Sequence, residues 1–249
     1  MCYRPAMDEN VRLDRDGAVA TVTLRRPERR NALSDAMLRD LAAVLDELRD
    51  DRDTRVVIVT GAPPVFSAGA DASGLKGRMS VDEQRRVFAQ RKSQFRRLFE
   101  RATALLENLE QVTIAMINGH AVGGGWGLAL ACDFRWAASE AEFWIPEVDL
   151  GVPLGVGSTT RFLRLVGPAR AKEIIMEGRR YTASEALALG LVHRVLPAAS
   201  LAGAVRDYAA VLAGKPSRAL TEAKARINII ARTATPEVNA MTEGFLERE

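Results

Sequence analysis

The stretch Asn118-Gly119-His120-Ala121-Val122-Gly123-Gly124-Gly125-Trp126-Gly127 follows the apolar run Thr113–Ile117 and leads into Leu128-Ala129-Leu130-Ala131-Cys132. Such an order predicts a buried strand, a glycine-rich bend and the start of a helix. Glycine inside a helix is unfavourable by about 1 kcal/mol relative to alanine, yet Gly123, Gly124, Gly125 and Gly127 crowd its start. A chemical use offsets that cost. Free backbone N–H groups at a helix N-terminus, with the positive end of the helix dipole behind them, stabilise a developing negative oxygen. A second N–H from a separate loop makes an oxyanion hole. Val112 to Cys132 also contains no Lys, Arg, Asp or Glu, which imitates a membrane span. Thr113, Asn118, His120 and the glycines favour a buried strand, turn and helix instead.

The flanking sequence reads as α/β. Ala18 to Leu24 alternates β-formers after Asp16-Gly17, which predicts a hairpin that ends at Arg26-Pro27. Ser34 precedes Leu38, Leu41, Leu45 and Leu48, so a capped amphipathic helix is expected over Asp35–Arg49. Arg55–Thr60 reads as a buried strand. Downstream, Ser80-x-x-Glu83 suggests a capping box before a long helix reaching about Leu109, and Asp133–Ala137 suggests a further strand. Pro168 and Gly178 bracket one helix, Thr182-x-x-Glu185 and Gly190 the next, and the chain beyond Pro197 reads as helical. The expected division is an α/β core over residues 1–196 and a helical region over 197–249. Neither a low-complexity linker nor a strict repeat is visible.

Composition narrows the function. With 249 residues, 47% hydrophobic and 27% charged, the chain can bury a sizeable core. A formal net charge of +3 is too small to argue for nucleic acid as a partner. Cys2 and Cys132 stand far apart, and His120 and His193 are the only histidines, so neither a disulfide scaffold nor a metal site is expected. The N-terminus lacks the apolar core of a signal peptide, and the expectation is a cytoplasmic protein that does not engage a membrane. Lys76 to Arg101 carries nine basic and three acidic residues, readable as a solvated helix face or as a landing surface for a polyanion.

Two further elements carry chemistry. Phe66-Ser67-Ala68-Gly69-Ala70-Asp71 has only small residues between its Phe and its Asp, which lets a ligand approach the backbone. Trp144-Ile145-Pro146-Glu147 holds a glutamate in an apolar, proline-stiffened segment, where burial would raise its pKa toward a value useful for proton transfer. Taken singly, each also reads as an ordinary turn or an exposed loop carboxylate. Trp126 and Trp144 read equally as walls of an acyl pocket or as core packing.

The ordered set Arg26-Pro27-Glu28-Arg29-Arg30-Asn31-Ala32-Leu33, Phe66 to Asp71, Asn118 to Gly125, and Pro146-Glu147 with Leu150-Gly151 resembles the enoyl-CoA hydratase/isomerase (crotonase) superfamily. The similarity runs from about Val11 to Val195. It implies a spiral of ββα units with a C-terminal helical trimerisation region, an acyl-CoA thioester as substrate, no cofactor beyond the coenzyme A of that substrate, and a homotrimer or hexamer. Carried onto this sequence, it implies that the N–H groups of Ala68 and Gly124 bind the thioester oxygen and that Glu147 is the acid/base. Backbone around Arg30, Ala32, Ala70, Asp71 and Ala72 would bracket the adenine and pantetheine portions of the coenzyme, and Gly123, Trp126, Gly127, Trp144 and Pro146 are the further candidate substrate-binding residues. Arg25, Arg26, Arg29 and Arg30 flank the first motif as cations for phosphates, or else face solvent.

One position departs from the resemblance. Hydratases of that superfamily carry a second glutamate three residues after the oxyanion glycine, and this chain has Gly127 there. One base suffices to move a double bond through an enolate, whereas water addition benefits from two groups. Decarboxylation, C–C cleavage and acyl-CoA binding without turnover therefore stand as alternatives, and Asp149 stands as a substitute carboxylate or a loop hydrogen-bonder. Spiral-fold serine peptidases need a serine where this chain reads Gly-Gly-Trp-Gly, and no G-x-G-x-x-G follows the first strand as a dinucleotide site would require.

Overall fold

The computed structural model describes residues 10–71 and 81–233, without the side chains of 81–92, 156 and 233. Cys2, Ala72, Ser80 as a helix cap, part of the basic run beginning at Lys76, and residues 234–249 lie outside the described residues.

Hydrophobic alternation builds the first hairpin. Strands β1 (Val11–Asp16) and β2 (Val19–Leu24) pair antiparallel, and Gly17 supplies the positive φ of 55° at their turn. The predicted helix α1 (Asp35–Asp50) follows, with Ser34 Oγ accepting the Met37 N–H and Leu38, Leu41, Leu45 and Leu48 facing the core. Next come β3 (Val56–Gly61), α2 (Val81–Asn108) and β4 (Val112–Ile117). The strand, bend and helix expected from the glycine-rich stretch are present, but helix α3 (Gly124–Ala129) occupies the glycine run itself and stops before Cys132. Between β4 and α3 lies the two-residue strand β5 (Ala121–Val122).

Strands β6 (Phe134–Ala138) and β7 (Glu142–Trp144) precede α4 (Val156–Glu177). The sequence suggested only the second half of α4. Gly167, at φ 73° and ψ 171°, breaks the helix just before Pro168, and a further helical stretch runs back to Val156. Then follow β8 (Tyr181–Thr182), α5 (Ala183–Ala188) with its Thr182–Glu185 capping box, β9 (Arg194–Leu196), α6 (Ala198–Ala213) and α7 (Ser217–Thr233). Helix α6 sinks Leu201, Val205, Ala209 and Leu212 into the core, and Tyr208 stacks on Trp136 of β6.

Two sheets organise these elements. The larger has the order β1-β2-β3-β4-β6-β9 and is parallel except for β1. The smaller has the order β5-β7-β8, and single bridges extend it, Ser67 to Ala121 and Leu33 to Ala70. Each circuit of the chain thus places a strand in the large sheet, a short extended piece in the small one, and a helix outside: β2, Leu33, α1; β3, Ser67 with Ala70, α2; β4, β5, α3; β6, β7, α4. That is a spiral of ββα units. It brings the loops after β2, β3 and β4 to the carboxyl ends of parallel strands, where open α/β sheets bind ligands. Among the described residues no helix is long and apolar enough to cross a membrane, and the uncharged stretch 112–132 is divided among β4, β5 and α3.

Candidate active site

Asn31 locks the first motif to the second. It is fully buried, its φ of 52° lies in the left-handed region that asparagine tolerates, and every polar group of its side chain is used. Its Nδ2 donates to the carbonyls of Ala62 and Val65 at 2.7 and 2.8 Å, while Oδ1 accepts the Arg26 N–H at 3.0 Å. Ser67 Oγ donates to the Asn31 carbonyl at 2.8 Å and accepts the Gly69 N–H at 3.2 Å. Neither Asn31 nor Ser67 was assigned a role from sequence; each is a small polar residue flanked by motif residues, which is too common a pattern to single out.

These bonds determine which amide of the second motif is available. Ala68 departs from expectation: its N–H donates to the Arg30 carbonyl at 2.9 Å and is not offered to a ligand. Gly69 N–H goes to Ser67 Oγ, and Asp71 N–H goes to the Leu33 carbonyl at 3.2 Å. Ala70 bridges Leu33 in parallel fashion, so its own N–H points away from that neighbour, and it meets no acceptor among the described residues. Exposed Ala70 therefore carries the open donor of this loop.

The glycine-rich helix lies directly against this loop. A methyl group at Gly69, whose φ is +81°, would stand 3.3 Å from the Gly124 nitrogen. Gly124 opens α3, so its N–H has no partner within the helix. Gly123 N–H donates to the Trp144 carbonyl at 2.9 Å, which draws the Glu147 segment across the helix start. A Cβ on Gly123 would meet Glu147 Oε1 at 2.3 Å, so the carboxyl occupies the space that only glycine leaves. Glu147 Oε2 is buried without a hydrogen-bond partner, and burial pushes the carboxyl pKa up from its ordinary value. Phe66 to Asp71, Gly123–Gly124 and Glu147 are thus brought to one place.

The other expected positions divide. Arg26, expected among the phosphate cations, is committed to Asp71 at 2.9 Å and to the Ala32 carbonyl at 3.2 Å; Arg25, Arg29 and Arg30 are exposed beside it. Trp126 belongs to the core: it is fully buried against Phe143, Phe162 and Tyr181. Trp144 is half-buried, in a T-shaped contact with His120 and with the Arg180 guanidinium 4.3 Å from its ring centre, and Pro146 is half-buried beside it. Asp149 does not replace a second carboxylate at Gly127, because its Oδ2 lies over Gly178 at the end of α4. His120 and His193 each accept a backbone N–H through Nδ1, from Glu142 and Arg135, both at 3.1 Å.

Gly127 faces another residue that sequence reading missed. A Cβ there would lie 2.1 Å from Ser158 Oγ and 3.3 Å from Phe99 Cζ, while one at Gly124 would touch Leu33, Phe95 and Phe99. Leu33, Phe95, Phe99 and Ser158 therefore line the face of α3 that carries Gly124 and Gly127. Ser158 went unnoticed because the helix that carries it was not recognised.

The family model described as enoyl-CoA hydratase/isomerase matches residues 14–248. The short-chain-enoyl-CoA hydratase of Clostridium acetobutylicum is 39% identical over 220 residues, covering 88% of this chain and 81% of that protein. Among solved structures, an enoyl-CoA hydratase from Bacillus anthracis matches with a TM-score of 0.80 at 34% identity, covering 96% of this chain and 94% of that one. A monofunctional enoyl-CoA isomerase from M. smegmatis matches with a TM-score of 0.76 at 32% identity, covering 92% and 97%.

Proposed function

Since the chain belongs to the enoyl-CoA hydratase/isomerase family, we propose that it moves a proton at the α-carbon of an acyl-CoA thioester, with Glu147 as the single acid/base. The observation that carries this reading is the seating of the Glu147 carboxyl against Gly123, beside the free N–H of Gly124. The thioester carbonyl accepts from the Gly124 N–H and, in place of Ala68, from the Ala70 N–H. As the Cα–H bond breaks toward Glu147, its electron pair moves onto that oxygen, and the two amides hold the enolate. Each such donor is typically worth about 3 kcal/mol of barrier lowering. A desolvated carboxyl whose Oε2 has no partner and whose pKa is raised by burial suits a group that must both take and return a proton. Exposed Arg25, Arg29 and Arg30 offer cations to the coenzyme phosphates, with Arg26 and Asp71 bracing the loops between them. Exposed Val211 on α6 and Ile227 on α7 suit the trimer or hexamer that the family resemblance implies.

The test is solvent deuterium incorporation at the acyl α-carbon, followed by mass spectrometry on 2-enoyl, 3-enoyl, β-keto and malonyl-type thioesters. Wild-type protein should exchange the α-proton. Glu147→Gln should lose exchange and turnover by at least about 1,000-fold, with acyl-CoA binding retained, because it keeps the shape and removes the base. Undiminished exchange in that variant refutes the assignment, and a wild type that binds without exchange identifies a carrier.

A further inference from the structure

Resting on the enolate reading above, we propose that Ser158 is the second polar contact of the acyl chamber, holding the oxygen at the acyl β-carbon, so that the reaction served is addition or removal of water. Ser158 lies in the first turn of α4 and is 1% exposed. Its hydroxyl aims at α3: a Cβ on Gly127 would lie 2.1 Å from Oγ but 3.1 Å from the serine Cβ. No hydrogen bond from that hydroxyl exists among the described residues. Buried hydroxyls ordinarily have partners, and one without a partner marks a place where a water or a ligand group completes the bonding.

The surroundings identify which ligand group that is. Gly124 and Gly127 lie one turn apart on the same face of α3, and Phe99 approaches both, at 3.6 and 3.3 Å from the corresponding Cβ positions. A carbonyl held at the Gly124 N–H therefore directs its acyl chain along the face that ends at Ser158. The other side chains against that face, Leu33, Phe95 and Phe99, are apolar, so an acyl chain laid along it would meet one hydroxyl beside hydrocarbon. That matches an acyl chain with a single oxygen a few bonds from the thioester.

The step balances without a co-reactant other than water. Ser158 Oγ and the Glu147 carboxylate orient a water; its oxygen bonds to Cβ, and the Cα=Cβ π pair moves onto the thioester oxygen. The proton released by the water passes to Glu147, which returns it to Cα. Nothing is oxidised or reduced.

Two rates measured on the same purified chain test this: hydration of trans-2-butenoyl-CoA, and α-deuterium exchange on butanoyl-CoA. Ser158→Ala should lower hydration by about tenfold to a hundredfold and lower exchange much less, so that the exchange-to-hydration ratio rises at least about fivefold. Its melting temperature should change little, since no hydrogen bond is lost and only one small atom of packing is removed. The swap Gly127→Ser with Ser158→Gly returns a hydroxyl to the same gap from the opposite wall and should recover part of the lost hydration. Equal losses of the two rates, no loss of either, or a swap without recovery overturns the proposal. A wild type that exchanges but does not hydrate overturns it while leaving the enolate reading intact; a wild type that exchanges nothing overturns both.

Discussion

Gly123→Ala is the sharpest test of the site geometry. The new methyl carbon would start 2.3 Å from Glu147 Oε1, whereas ordinary contact begins near 3.4 Å, so the carboxyl must withdraw by roughly 1 Å. A misplacement of that size costs about a hundredfold in rate when the displaced group is the base, and kcat rather than KM should carry the loss. The substitution also imposes a φ of +47° on an alanine, a conformation that costs on the order of 1–3 kcal/mol and lowers stability for a reason unrelated to catalysis. Gly17→Ala separates the two effects. Its φ is +55° and nothing lies within 4 Å of its Cβ, so it incurs the backbone cost far from Glu147. Steady-state turnover of the preferred thioester, measured well below either melting temperature, should therefore fall about a hundredfold in Gly123→Ala and stay near wild type in Gly17→Ala. Wild-type kcat in Gly123→Ala would show that the carboxyl position does not matter and would sink the placement of Glu147 as base.

Asn31→Ala strands the carbonyls of Ala62 and Val65 and the N–H of Arg26 in a buried loop junction, each at about 1–3 kcal/mol. At the lower end of that range, about 3 kcal/mol for the three groups together, the melting temperature should drop by roughly 6–12 °C, and a drop under about 2 °C would show that the junction holds without it. In the pH dependence, Glu147 and Asp51 act with opposite sign. Burial raises the folded pKa of Glu147 above 4.5, so its contribution to stability is whole below that value and is lost as the pH rises through the folded pKa. Glu147→Gln should accordingly gain stability on wild type between about pH 4 and neutrality, read by urea melts; a gap that stays constant across that range contradicts the burial of the charge. Asp51, held at about 2 by the Thr54 N–H and hydroxyl, with Arg15 and the Asp53 N–H, contributes above its ordinary 3.8, and that contribution is lost as the pH falls toward 2.

Where the sequence was legible, one local signal sufficed. Period-2 alternation around Asp16-Gly17, the Ser34 cap with its leucine stripe, and the Thr182–Glu185 capping box each specify an element from within about a dozen residues. The small sheet was illegible for the opposite reason. Its members are two or three residues long, or single bridges at Leu33, Ser67 and Ala70, too short to show any period. The repeat of the spiral is thus a repeat of chain direction, with no recurring residue pattern to find. Helix α4 was half seen because Pro168 announces a start so strongly that the turns before Gly167 were passed over. The gathering of the Phe66, Gly123 and Glu147 segments was expected from the family that their order resembles. The choice of Ala70 over Ala68 was not, because it depends on which amides Arg30, Ser67 and Leu33 consume, and those partners come from other circuits of the chain.

The glycines of α3 show why these features belong together. A helix start with side chains would present Cβ atoms where Gly123 meets Glu147 and where Gly127 meets Ser158. Removing them costs about 1 kcal/mol each in helix propensity, and it lets two neighbouring segments press polar atoms onto the helix backbone beside its free N–H groups. The bare helix thus fixes the height of the carboxyl beside Gly123 and of the hydroxyl beside Gly127, with the Gly124 amide between them. Position 127 and position 158 then share one small volume, so each limits what the other can be. A glutamate introduced at 127 alone would be driven into Ser158 Oγ, and restoring a carboxylate there requires shortening residue 158 first. The chemistry available at this end of α3 is therefore a property of the pair, and reading Gly127 by itself as a missing catalytic group leaves out the hydroxyl that fills its place.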